Sequence, residues 1–293
     1  ASTPSSSRSS RSRPRRGSGG YGHTPYDTWE AASAQADHIG QLAELVLSAA
    51  TETGRDLPDL RVTPEPERRA LLVGSHTQVA QMSGAMLVEL AYALAWEGFD
   101  VDTIPYGQPI TPEDLADASL VVVLPMIDYA EAGDGPQDEG WTAGEIEALV
   151  AYVEEGGLLV LTNSARRVVF GQLWGPNEDW DGLNALAERF GAAYEEGTLS
   201  GAAAPVTAEH PLTQGSPILG MTVGNGVPIT LTDGLVLAET GGRTAAGLVG
   251  YGGAGGEVLV LGDLGMLQPV QFMPPQTDNL NFFRNLAAYA REH

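Results

Sequence analysis

The chain has 293 residues, 43% of them apolar, which is ample for the core of one large domain, yet it carries 38 acidic side chains against 15 basic ones. All 15 basic residues are arginine and five of them precede Gly17, so the remainder holds 10 arginines against 38 acids, a net charge of −28. A body this acidic argues against nucleic acid or anionic membrane as partner, no apolar run reaches the roughly 18 residues of a membrane span, and the lack of cysteine excludes disulfides, thiolate-held metals and a thiol nucleophile.

Residues 1–20 are rich in Ser, Arg and Gly and have no apolar anchor, so they read as a disordered tail or linker, or as a basic arm. Residues 21–68 read as an N-terminal helix and a connector. Trp29, Ala32, Ile39, Leu42, Leu45 and Val46 suit one helical face over 27–53, and three prolines follow between Asp56 and Glu67. The main domain, 69–293, then alternates strand and helix. Ala70–Gly74 is a short buried strand, and residues 80–97 form a helix with Met82, Met86, Leu90 and Leu94 at steps of four. Phe99–Ile104 is a second strand, and Thr111 with Pro112 opens a helix. Leu120–Leu124 is a third strand. Thr142 and Glu145 form a capping box that starts a helix bearing Ile146, Leu149, Val150 and Val153, which Gly156-Gly157 stops. Leu158–Leu161 is a fourth strand, and Leu183, Leu186, Ala187 and Phe190 mark a further helix. Residues 192–255 are richer in short β segments, with a hairpin turn at Gly252–Gly256. Glu257–Leu261 is a late buried strand, and residues 278–291 close the chain as a helix.

Repeated β-α-β units with all-apolar strands predict an α/β fold: a mainly parallel, doubly wound, flavodoxin-like sheet with helices on both faces and a β-rich insertion. Ligands of such sheets bind at the carboxyl ends of the strands. Those positions hold His76, Asp128, Asn163, Ser164 and Asp263, with His210 expected to reach them from a loop. Three of them have both a chemical and a structural reading. His76 is a general base or ligand-binding imidazole, or a tie between loop and sheet. Ser164 is a nucleophile, or the cap of a helix. Asp263 binds a sugar hydroxyl or metal, or caps a turn. His210-Pro211 sets an extended loop conformation. No His-rich or calcium-loop pattern is present, so no metal and no cofactor are expected, and the acidic loop 131–140 reads as a solvated loop, with weak Ca²⁺ binding as its alternative reading.

The segments LLVGSHTQ, GFDVD, ITPEDLADASLVVVLP, EIEALVAYVEEGGLLVLTN, LNALAERFGAAY, HPLTQG, GEVLVLGDLG and DNLNFFRNLAAYA follow one another between about Arg69 and Tyr289. In that order they resemble a domain of unknown function in the glutamine-amidotransferase-like superfamily, related to the N-terminal domain of an intraflagellar-transport protein. HPLTQG is also similar to a loop of trehalose-utilisation-type proteins. The resemblance implies the amidotransferase-like fold. Active members place a cysteine on a tight, glycine-flanked turn after a central strand. Here that position falls near Asn163-Ser164, followed by Arg166 and Arg167 and flanked by no glycine. The resemblance therefore implies the fold without glutaminase activity. The expected function is a non-catalytic binding or scaffolding module for a carbohydrate or a protein partner. The alternative is a hydrolase acting on a sugar or amide through Ser164, His76 and Asp128 or Asp263.

Overall fold

Four short apolar runs and one more polar edge strand form the parallel part of the main sheet. In the computed structural model they are β1 (Arg69–Val73), β2 (Asp100–Ile104), β3 (Ala118–Val123), β4 (Leu158–Thr162) and, far along the chain, Gly256–Leu261. They lie side by side in the order β2, β1, β3, β4 and the late strand, and every neighbouring pair is parallel. The structure describes residues 68–77, 84–126, 140–164, 166–169, 172–176, 182–201, 203–214, 218, 220–224, 226–267 and 278–293. The expected tail, the helix over 27–53, Asp128 and all of the acidic loop but Gly140 lie outside the described residues.

Alternation along these strands divides the core in two. Ala70, Leu72, Leu120, Val122, Leu158, Val160, Leu259 and Leu261 point to one face. There they meet Leu90 and Leu94 of α1 (Gly84–Trp96) and, from the C-terminal helix (Asn279–Ala290), Phe282, Phe283 and Leu286. Leu71, Val73, Val121, Val123, Leu159, Leu161, Val258 and Val260 point to the other. They pack on Leu115 of α2 (Pro112–Leu115), on Ile146, Leu149, Val150 and Val153 of α3 (Ala143–Glu154), and on Leu186 of α4 (Asn184–Ala187), which runs on as a 3-10 turn to Phe190. Both faces are therefore apolar along β1, β3, β4 and the late strand, which is why these four lack polar positions at every second residue, whereas β2, at the edge of the sheet, keeps Asp100 and Asp102 exposed. Each fully buried Leu or Val contributes about 1.5–3 kcal/mol through removal from water.

The helix starts follow from local chemistry. Thr111 with Asp114, and Thr142 with Glu145, each form a capping box with both reciprocal hydrogen bonds. Gly156 ends α3 at φ +105°, and Gly157 leaves room for the Tyr152 ring, which a Cβ there would meet at 2.3 Å.

The described residues between β4 and the late strand are β-rich. β5 (Arg166–Val169) pairs antiparallel with β6 (Gln172–Pro176), and β7 (Ala192–Tyr194) and β8 (Ala203–Pro205) follow. After the short helix α5 (Pro211–Gln214), β9 (Gly220–Thr222) pairs with β8. β10 (Ile229–Leu231), β11 (Leu235–Thr240) and β12 (Arg243–Tyr251) join the main sheet, where β12 forms a hairpin with the late strand, β13 (Gly256–Leu261). β12 also pairs with β11 and, through Ile229 and Thr244, with β10, which pairs with β7. The result is one mixed, nine-stranded, mostly parallel sheet. The C-terminal helix is α6 (Asn279–Ala290). One expectation needs correcting: Ser164 does not cap a helix, because the chain beyond it enters the β5–β6 hairpin.

Candidate functional site

β1, β3, β4 and β13 are parallel neighbours, so the residues after them leave the sheet at the same edge. Ser75, His76 and Thr77 follow β1, Pro125 and Met126 follow β3, Asn163 and Ser164 follow β4, and Gly262 and Asp263 follow β13. The end of β3 is clamped from both sides. The Thr77 hydroxyl donates to the Pro125 carbonyl at 2.8 Å, and the Thr162 hydroxyl donates to the Val123 carbonyl at 2.8 Å.

His76 is turned toward α3. Its Nε2 lies 3.2 Å from Oε1 of Glu145, and its ring lies 4.5 Å from that of Trp141 at a tilt of 52°. Glu145 is only 2% exposed. Its carboxylate also accepts from the Thr142 N–H and hydroxyl and from the Ile110 N–H. Burial opposes its ionisation, but the Thr142 hydrogen bonds, His76 and the Ile110 N–H outweigh that, and its pKa falls below the usual carboxylate value. Sequence reasoning found Glu145 as a cap and missed it as the partner of His76. The capping box accounted for the residue locally, and the pairing is a contact across 69 positions.

At the other end of this edge, Asn163 and Asp263 are tied into the backbone. Asn163 Oδ1 accepts from the Ser164 N–H at 2.8 Å, and its carbonyl accepts from the Leu264 N–H at 2.8 Å. Asp263 Oδ1 accepts from the Gly265 N–H at 2.8 Å, which opens the 3-10 turn Leu264–Leu267. Asn163, Ser164 and Asp263 are all buried. β1 and β4, the strands that lead into His76 and Ser164, are separated by β3, two strand spacings or about 10 Å.

His210 stands elsewhere. Its ring packs on Tyr289 at 5.2 Å, and the Tyr289 hydroxyl donates to Glu257, which pairs with Leu158 at the amino ends of β13 and β4. Burial lowers its pKa below the ordinary imidazole value, against the opposing field of Glu257. His210 therefore sits at the opposite edge of the sheet and does not approach the strand-end residues. The loop expectation failed because α6, which carries Tyr289, runs from the carboxyl edge back to the amino edge. Its first residue, Asn279, donates to the Gly265 carbonyl at 2.6 Å.

Among the described residues no three His, Asp or Glu side chains are grouped to hold a metal ion. No described helix is long and apolar enough to cross a membrane.

No protein-family model and no curated protein matches the chain. Solved structures do. The mmIFT52 N-terminal domain matches with a TM-score of 0.54 at 14% identity, over 77% of this chain and 98% of that domain. This chain folds like that domain. A cytoplasmic protein from Salmonella typhimurium matches with a TM-score of 0.48 at 16% identity, over 75% of this chain and 98% of that one. A protein from Bacteroides uniformis described as ThuA-like matches with a TM-score of 0.45 at 15% identity, over 79% of this chain and 93% of that one. At 14% identity the likeness to the mmIFT52 domain speaks for fold alone.

Proposed function

We propose that the chain is a non-catalytic binding or scaffolding module on a doubly wound, amidotransferase-like fold, and that it recognises a carbohydrate or a protein partner through the crevice at the carboxyl ends of its parallel strands. His76, Asn163, Ser164 and Asp263 line that crevice, and His210 has no part in it. The observation that carries the reading is how these side chains are used. Asn163 and Asp263 hold their own backbone, and His76 faces Glu145 on α3, with β3 between its own strand and that of Ser164. A nucleophile needs its base within about 2.6–3.2 Å and small neighbours for a strained turn. The order of the parallel strands and the apolar helices on both sheet faces support the doubly wound architecture.

The test is turnover. With glutamine, and with a simple aryl ester as a general hydrolase substrate, the full chain is expected to release product at the background rate, and Ser164→Ala is expected to behave identically. Turnover above background that Ser164→Ala abolishes would overturn the module reading in favour of a hydrolase.

A further inference from the structure

Four buried side-chain polar atoms among the described residues lack a hydrogen-bond partner: Ser75 Oγ, Trp141 Nε1, Asn163 Nδ2 and the Tyr194 hydroxyl. The first three belong to the carboxyl edge of the sheet. Ser75 follows β1 and adjoins His76, Asn163 follows β4, and Trp141 precedes the cap of α3 and touches His76. Ser75 is 3% exposed, Trp141 8% and Asn163 0%. Each unmet group of this kind costs about 1–3 kcal/mol in lost hydration, so three at one edge is an expense that needs a reason.

Their chemistry is one-sided. An indole N–H and an amide NH₂ only donate, and a hydroxyl is able to donate. The complement is a molecule offering several oxygen acceptors. Among small molecules, oxyanions and neutral polyols both fit, and charge separates them. Residues 17–293 carry a net of −28, and Glu145, held in its ionised form, lies 3.2 Å from His76. Both disfavour a second anion.

We infer that the carboxyl edge is a binding site for a neutral, polyhydroxylated small molecule, a sugar or cyclitol, whose oxygens accept from Trp141 Nε1, Asn163 Nδ2 and Ser75 Oγ. This rests on the reading of that edge as a recognition crevice and names the ligand class it takes. A binding site built this way trades stability for recognition, because the donors stay unmet in the free chain.

The experiment follows from that trade. In the unliganded full chain, Ser75→Ala and Trp141→Phe remove an unmet polar group while keeping most of the packing. Both are expected to leave the urea midpoint unchanged or raise it. In titration calorimetry, maltose and myo-inositol serve as neutral probes and citrate as the anionic one. At least one neutral probe is expected to bind, citrate is not, and each variant is expected to weaken binding about five- to tenfold, the loss of one hydrogen bond. His210→Ala, at the opposite edge, is expected to bind as the parent does. The inference is overturned if both variants clearly destabilise the free chain, if neither neutral probe binds, or if citrate binds in their place. Hydrolysis that depends on Ser164 would overturn the module reading instead, so the two failures are distinguishable.

Discussion

Glu145 does two jobs with one carboxylate. It completes the capping box of α3 and it orients His76, so its removal should be felt in both places. Glu145→Gln keeps the size and removes the charge, and is expected to destabilise the fold by about 1–3 kcal/mol in urea unfolding. The pH dependence follows from the lowered pKa. The folded chain holds Glu145 ionised at pH values where the unfolded chain, with an ordinary value of 4.5, takes up a proton. The stabilisation is therefore complete above the unfolded value and is lost as pH falls through the lowered folded one. Glu145→Gln should flatten the acid limb of the stability profile, and an unchanged limb would contradict the account. At this scale the sequence disclosed residue types better than partners. Ser-His after a strand and Asp after a strand were visible, and Asp263 does cap its turn. The meeting of His76 with Glu145 was not visible, because it depends on how α3 docks on the sheet, which no local pattern encodes.

At the scale of elements, strands and helices with strong local signals were legible. The capping residues Thr111 and Thr142, the Gly156-Gly157 stop and the all-apolar strand runs each have a local cause, and each was found where that cause placed it. The turn of the β12–β13 hairpin, with Gly252 and Gly255 at positive φ, belongs to the same group. What was not legible was the connection after β4, read as the start of a helix and folded as the β5–β6 hairpin. A buried Asn-Ser pair looks the same at the start of either. The packing of α3 on β13 gives an element-level prediction. A Cβ at Gly256 would lie 1.7 Å from the Val153 carbonyl oxygen, so helix and strand must separate to admit it. Gly256→Ala is expected to cost about 3 kcal/mol or more, against under about 1 kcal/mol for Gly253→Ala, where the space is open. Equal midpoints for the two variants in urea would show that the helix does not press on the strand.

For the whole molecule, strand order and the placing of His210 were beyond the sequence, since both depend on contacts between distant segments. The mainly parallel character was not, because strands buried on both faces leave a recognisable run of apolar residues. Charge acts at this scale too. With −28 outside the first sixteen residues, self-repulsion opposes compaction, and salt relieves it as the Debye length shrinks from about 10 Å at 0.1 M to about 3 Å at 1 M. The melting temperature should rise by about 5 °C or more over that range of NaCl, and a flat response would mean that the acidic surface is already neutralised within the fold. Recognition of a neutral ligand should, by contrast, be insensitive to salt. The central claim, that the carboxyl edge is a recognition site with donors waiting for a ligand, is met most directly by the Trp141 indole N–H resonance in ¹⁵N-labelled protein, assigned by its loss in Trp141→Phe. On titration with maltose or myo-inositol it is predicted to move downfield and saturate as the N–H gains an acceptor. A resonance that stays in place while the neutral probes reach saturating concentrations, or that moves only with citrate, would contradict the account.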